Sequence, residues 1–252
     1  DIARFFTHVD KLDSFITEVV AIADAVAARR RSPKRIMLSM DEWNVWYKAR
    51  TPSDLAKPGW PEAPKLLEEV YNFEDALVVG GALITLINHA DRVKTACLAQ
   101  LVNVIGAIMT ETGGPAWRQS IFHPFAQASR LARGNVLRLV RECNTFSAGD
   151  YAEAPLLLST VTHDPGTGAV AVFALNRSQE QMEFTADLRG LGTLTVSETF
   201  ELKHHDLKAT NTRESPDEVS PKPHPACGLA GGSLKATLKP LSWNVFALQA
   251  GG

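Results

Sequence analysis

Apolar positions recur at three- and four-residue intervals near the start of the chain: Leu12, Phe15, Ile16, Val19, Val20, Ala23, Val26 and Ala27 form one stripe of a helix. Arg29-Arg30-Arg31 close it where cations suit the helix dipole, and Ser32-Pro33 stops it. The apolar run 36–40 then reads as a buried parallel strand, followed by an aromatic segment, 41–47. A Pro-rich loop (Thr51-Pro52, Lys57-Pro58-Gly59, Pro61, Pro64) is long enough to be functional or disordered. The spacing of Leu66, Leu67, Val70, Phe73, Leu77, Leu83, Ile84 and Ile87 predicts a second helix over 65–89. A second buried strand is expected over 93–102, continuing through 104–110 to Gly113-Gly114-Pro115, with a third helix over 116–132. Crossover helices between apolar strands imply parallel pairing.

After about Gly134 the pattern changes. Short strand-like segments at 156–161, 170–175, 182–187, 194–201, 234–238 and 241–248 alternate with turn signals such as Asp164-Pro165-Gly166 and Gly190-Leu191-Gly192. This predicts an antiparallel β-sandwich over 135–252, interrupted by an irregular excursion at 204–230. Two parallel strands cannot close a barrel or make a sheet buried on both faces. Residues 1–134 are therefore expected to be the end of a larger α/β domain whose remainder lies in another segment or polypeptide.

Composition narrows the classes. An apolar fraction of 45% supports a sizeable core, and the formal net charge of −2 gives no reason to expect nucleic acid or an acidic membrane as partner. No uninterrupted apolar stretch reaches the roughly 18–20 residues of a membrane span. Three cysteines without a Cys-x-x-Cys spacing argue against a disulfide framework or a zinc site and favour a reducing cytoplasm. Cys97, in an apolar run, reads as a small core residue. The seven histidines show no metal-ligand spacing: His89 and His123 read as satisfied core or helix-end residues, and His204-His205 as part of a solvated loop. The first residues have neither signal-peptide architecture nor an initiator Met, so the chain is expected to begin inside a larger protein.

The chemistry concentrates in Asp41-Glu42-Trp43-Asn44-Val45-Trp46-Tyr47. A carboxylate at the C-terminal end of a parallel strand stands where β/α barrels build their sites. Flanking aromatic rings suit the apolar faces of a sugar ring, and a carboxylate suits an oxocarbenium-like centre. Asp41 and Glu42 point to opposite sides of a regular strand, so they do not form a catalytic pair by themselves. Taken alone, such an acid serves as a cap or ion-pair member, and each Trp as core. Gly113-Gly114-Pro115-Ala116-Trp117-Arg118-Gln119 reads as a Gly-rich turn opening a helix, better suited to presenting an amide to sugar hydroxyls than to cradling phosphate. No Gly-x-Ser-x-Gly elbow occurs.

At these residues the chain resembles the α-L-arabinofuranosidases of glycoside hydrolase family fifty-one. The resemblance rests on 38–47, Tyr71-Asn72-Phe73-Glu74-Asp75-Ala76-Leu77, 96–105, Gly113-Gly114-Pro115-Ala116-Trp117-Arg118-Gln119 and Leu241-Ser242-Trp243-Asn244-Val245. It implies the C-terminal part of a (β/α)8 TIM barrel, with 36–41 as the seventh strand and the run from Val93 as the eighth, followed by the sandwich. It also implies Glu42 as catalytic nucleophile, with Trp46 and Gln119 lining the arabinose subsite and Gln119 hydrogen-bonding Glu42 or a sugar hydroxyl. The family's acid/base glutamate lies on the fourth strand in an Asn-Glu pair. No Asn-Glu dipeptide occurs in this sequence, so that residue is expected on a segment carrying strands one to six. The implied substrate is an arabinose-containing oligo- or polysaccharide, the implied assembly a homo-oligomer, and the chemistry needs no metal or organic cofactor. Two other readings stay open: a related retaining glycosidase (endoglucanase or β-xylosidase) and a non-catalytic carbohydrate-binding module.

Overall fold

The computed structural model describes residues 1–47 and 67–251. The expected Pro-rich loop and the first residues of the expected second helix lie outside them. Helix α1 (Ile2–Arg29) is capped by the Asp1 side chain, which accepts from Ala3 N at 3.0 Å. It buries Phe6, Val9 and Ile16 and leaves Phe15, Ile22 and Val26 exposed. Strand β1 (Leu38–Trp43) pairs in parallel with β2 (Val93–Leu98), Leu38 opposite Val93 and Trp43 opposite Leu98.

Between them runs helix α2 (Phe73–Asn88), in which every residue from Phe73 to Leu86 is buried. A helix buried all round must be covered on every side. One core unites Leu77 and Ile84 of α2 with Phe6 and Val9 of α1 and with Leu158, Phe173 and Trp243 from the second half of the chain. Gly80 is what brings the helix so close to that half: a Cβ there would lie 2.6 Å from Cε3 of Trp243. The helix begins at Phe73, later than the apolar spacing predicts, because Asn72 and Asp75 close a capping box.

Among the described residues, the β1–β2 pair is covered on one face only. Leu38, Met40, Val93 and Ala96 pack with Ile16 and Leu86, while Ser39, Asp41, Thr95 and Cys97 are exposed. Cys97 is therefore not the core residue expected; it lies two residues beyond Thr95 on the open face. The second strand ends at Leu98, short of the expected boundary. The expected third helix is also displaced: β3 (Ile108–Thr110) and β4 (Ala116–Arg118) form a hairpin across 111–115, and helix α3 (Phe122–Leu131) starts after it. Gly113 takes φ +67° in this turn, a conformation open to glycine. The Gly-rich stretch is thus a hairpin turn rather than the opening of a helix expected there.

The second half is antiparallel. Five strands run in the order β11 (Leu194–Leu202), β14 (Ser242–Ala250), β9 (Ala169–Asn176), β8 (Leu157–Asp164), β5 (Asn135–Val136). Three more run β10 (Met182–Asp187), β13 (Ser233–Leu238), β12 (Cys227–Ala230). Both sheets contribute to one core, where Phe184 stacks on Phe246 at 6.1 Å. A small hairpin pairs β6 (Thr145–Ala148) with β7 (Tyr151–Pro155).

Two connections lock the halves together. Arg177, after β9, donates to Asp10 of α1 at 2.6 Å with its side chain fully buried, and its guanidinium lies over the Phe146 ring. The irregular excursion after β11 returns to α2. Ala209 O accepts from Phe73 N at 2.9 Å and Leu207 O from Glu74 N at 3.0 Å, supplying acceptors that the first turn of the helix lacks, and Lys208 pairs with Glu74.

Candidate active site

Glu42 is the penultimate residue of β1, and its side chain is exposed. The β1–β2 register is irregular between Met40 and Trp43, so these residues, three apart, both pack on the core under the pair. The simple alternation expected for Asp41 and Glu42 is interrupted here, and both are exposed. Asp41 accepts from Ser39 Oγ at 2.5 Å.

Beyond β1 the chain is pegged at two points. Asn44 Nδ2 lies within donating distance of three oxygens: Ala99 O at 2.7 Å, Ile105 O at 2.9 Å and Tyr71 Oη at 3.1 Å. Its Oδ1 accepts from Val45 N, while Tyr71 Oη donates to Val45 O at 3.0 Å. Tyr47 Oη then donates to Asp75 Oδ1 at 2.5 Å. Burial pushes the Asp75 carboxyl up to about 6, against the lowering effect of its bonds from Tyr47 and Asn72. Burial raises the Tyr47 phenol as well, helped by its bond to Asp75.

Trp46, between the pegs, is 57% exposed. With Trp43 and Tyr47 it lines a cavity of about 490 Å³ that α1 borders with Phe5 and His8, and α2 with Val79. Glu42 and Gln119 are not among the lining residues. Gln119 sits just after β4, fully buried, with its amide turned to backbone: Oε1 accepts from Tyr71 N at 2.9 Å, and Nε2 donates to Glu69 O at 2.9 Å and Gly106 O at 2.8 Å. These bonds replace the expected one to Glu42 or a sugar, because the hairpin sets Gln119 against the segment leading into α2.

The histidines follow their local partners. His89 caps the end of α2 and meets Asp13 at 2.8 Å, which raises it from its ordinary value. His123 is buried in α3, and burial, helped by Arg118, pushes it down to about 4. His204 is half-buried against Glu218 at 3.1 Å, and His205 is exposed. Among the described residues no group of three or more His, Cys, Asp or Glu side chains could hold a metal ion, and no helix is long and apolar enough to cross a membrane.

Sequence reasoning missed Asn44, Tyr71 and Asp75 as members of this neighbourhood. A polar residue inside the apolar-aromatic segment, and an Asn-x-x-Asp spacing before a helix, were the available signals.

Residues 41–242 match the family described as Alpha-L-arabinofuranosidase C-terminal domain. An intracellular exo-alpha-(1->5)-L-arabinofuranosidase of Streptomyces lividans is 47% identical over 245 residues, covering 97% of this chain and 37% of that protein. One from Halalkalibacterium halodurans is 44% identical over 249 residues, covering 98% and 49%. The solved structure of a family 51 α-L-arabinofuranosidase from Bifidobacterium longum superimposes with a TM-score of 0.88 at 37% identity, over 98% of this chain and 48% of that one. The chain thus belongs to the family 51 α-L-arabinofuranosidases through their C-terminal domain, and it spans half or less of the length of the relatives it matches.

Proposed function

We propose that this chain carries the nucleophile of a retaining exo-acting α-L-arabinofuranosidase that releases terminal arabinofuranosyl residues from arabinan, arabinoxylan or derived oligosaccharides. The observation that supports this most directly is the placement of Glu42. It is an exposed carboxylate at the C-terminal end of a parallel strand, followed by an aromatic segment whose Trp46 stands over an open cavity.

In the double displacement, ionised Glu42 attacks the anomeric carbon as a second carboxyl group, about 5–5.5 Å away, protonates the leaving oxygen. Water, deprotonated by that second group, then releases the sugar with net retention. The acid/base residue belongs to the portion of the relatives' length that these residues do not match. Trp46 gives the furanose an apolar wall. Gln119 acts from behind that wall, ordering the backbone at Glu69, Tyr71 and Gly106 rather than touching the sugar.

In this reading β1 and β2 are the last two strands of a (β/α)8 barrel, with 1–134 its C-terminal portion and 135–252 a β-sandwich. The open face of the pair supports it, since parallel sheets are covered on both faces. A homo-oligomer and a cytoplasmic location belong to the same reading; the word intracellular in the relatives' names supports the latter. No metal or organic cofactor enters the mechanism.

In the complete protein that includes the segment carrying the acid/base residue, Glu42→Ala should lower turnover of an aryl α-L-arabinofuranoside by on the order of 10⁴-fold or more. Azide should restore part of the rate and yield the arabinosyl azide of inverted configuration. Wild-type turnover in Glu42→Ala would overturn the proposal.

A further inference from the structure

We infer that Asn44 and Tyr71 are positioning residues that set Glu42 and Trp46 for the reaction; the inference rests on the reading of Glu42 given above. Residues 43–45 receive a concentration of bonds that their neighbours do not need for burial. Ala99 N donates to Trp43 O at 3.1 Å, Asn44 Nδ2 reaches Ala99 O and Ile105 O, and Tyr71 Oη donates to Val45 O. The residues immediately outside this peg, Glu42 and Trp46, have exposed side chains. Packing alone therefore does not hold those two side chains, and the backbone that carries them is fixed from the residues between.

The peg ties three separate pieces of the fold: the end of β1, the turn after β2, and the segment entering α2. Tyr71 is fully buried, and its own N–H is held by Gln119 Oε1. One continuous set of bonds thus runs from the β3–β4 hairpin, through Gln119 and Tyr71, to the backbone three residues past the nucleophile. A carboxylate placed this way attacks along a fixed line only while its backbone stays put, and a displacement of about 1 Å costs on the order of 10²-fold in rate. The peg holds Glu42 through its main chain and touches no substrate, so its loss should fall on the chemical step more than on binding.

The test compares Asn44→Ala, Tyr71→Phe and Glu42→Ala in the complete protein that includes the acid/base segment, measuring kcat and KM for an aryl α-L-arabinofuranoside well below each unfolding midpoint. For Asn44→Ala the expected result is a kcat lower by roughly 30- to 100-fold with KM within about threefold of wild type. Tyr71→Phe removes a single oxygen, keeps the ring in the core, and should lower kcat by about 5- to 10-fold. If Asn44→Ala fails to fold, Tyr71→Phe decides by the same criterion. Wild-type kcat in the folded variants, with only a lowered unfolding midpoint, would show a structural role alone and overturn the inference. With Glu42→Ala inactive, that result removes this inference and leaves the nucleophile standing; an active Glu42→Ala removes both.

Discussion

Replacing Gly80 by alanine sets two effects of known size against each other. In the interior of a helix the change from Gly to Ala is favourable by about 0.5–1 kcal/mol. At Gly80 the new methyl would lie 2.6, 3.1 and 3.2 Å from Cε3, Cζ3 and Cδ2 of Trp243. The indole has little freedom to yield: it is fully buried, its Nε1 donates to Gln127 Oε1 at 2.7 Å, and it meets the Phe173 ring at 5.7 Å between centroids. Overpacking of this kind costs about 1–3 kcal/mol. The clash should win, leaving a net loss of roughly 1–2 kcal/mol and a midpoint lower by about 2–8 °C. Scanning calorimetry of Gly80→Ala checks the sign, and the same substitution in a Trp243→Phe background should cost less because the outer ring is gone. A rise in midpoint with Gly80→Ala would refute the reasoning, since helix propensity would then have prevailed over packing.

Arg177→Met should cost about 3–5 kcal/mol, because it strips Asp10 of its partner in a largely buried site, and the double change with Asp10→Leu should recover much of it; urea unfolding of the three variants checks both. Two buried groups should oppose each other across mild acid. Asp75 titrates higher folded than its ordinary value of 3.8, so its stabilisation is present below 3.8 and is lost as pH rises through about 6. His123 titrates lower folded than its ordinary 6.5, so its stabilisation is present above 6.5 and is lost as pH falls through about 4. Asp75→Asn should therefore steepen acid destabilisation and His123→Gln should flatten or reverse it, read from urea midpoints at about pH 4.5 and 7. Equal pH slopes in wild type and both variants would refute the assignment.

Some elements are legible in the sequence because a local repeat writes them. The stripe of α1 and the apolar run of β1 are of this kind, as are most strands of the second half, whose periods are set by residues close in the chain. The start of α2 is not, because Leu66, Leu67 and Val70 continue the apolar spacing while the Asn72–Asp75 box alone sets the boundary. The three-residue strands of the β3–β4 hairpin are too short for any period to show. At the candidate site, the carboxylate and its aromatic neighbours stand out by type and position. The Asn44 peg does not, since its acceptors Ala99 and Ile105 lie 55 and 61 residues further on and leave no periodic trace. Gln119 shows the same limit: its place after a Gly-rich turn is visible, but the direction of its amide depends on backbone 13 to 50 residues away.

The return of the excursion to the first turn of α2 bears on how such proteins can be recombined. An exchange of the antiparallel half between relatives, cut near residue 134, would also exchange Leu207 and Ala209, whose carbonyls complete the amino end of α2. It would separate Arg177 from Asp10 and Trp243 from Gly80 as well. A chimera should therefore succeed only when the donor brings a matching loop, arginine and indole. In this fold the antiparallel half is inherited together with the helix it finishes, not as a cassette.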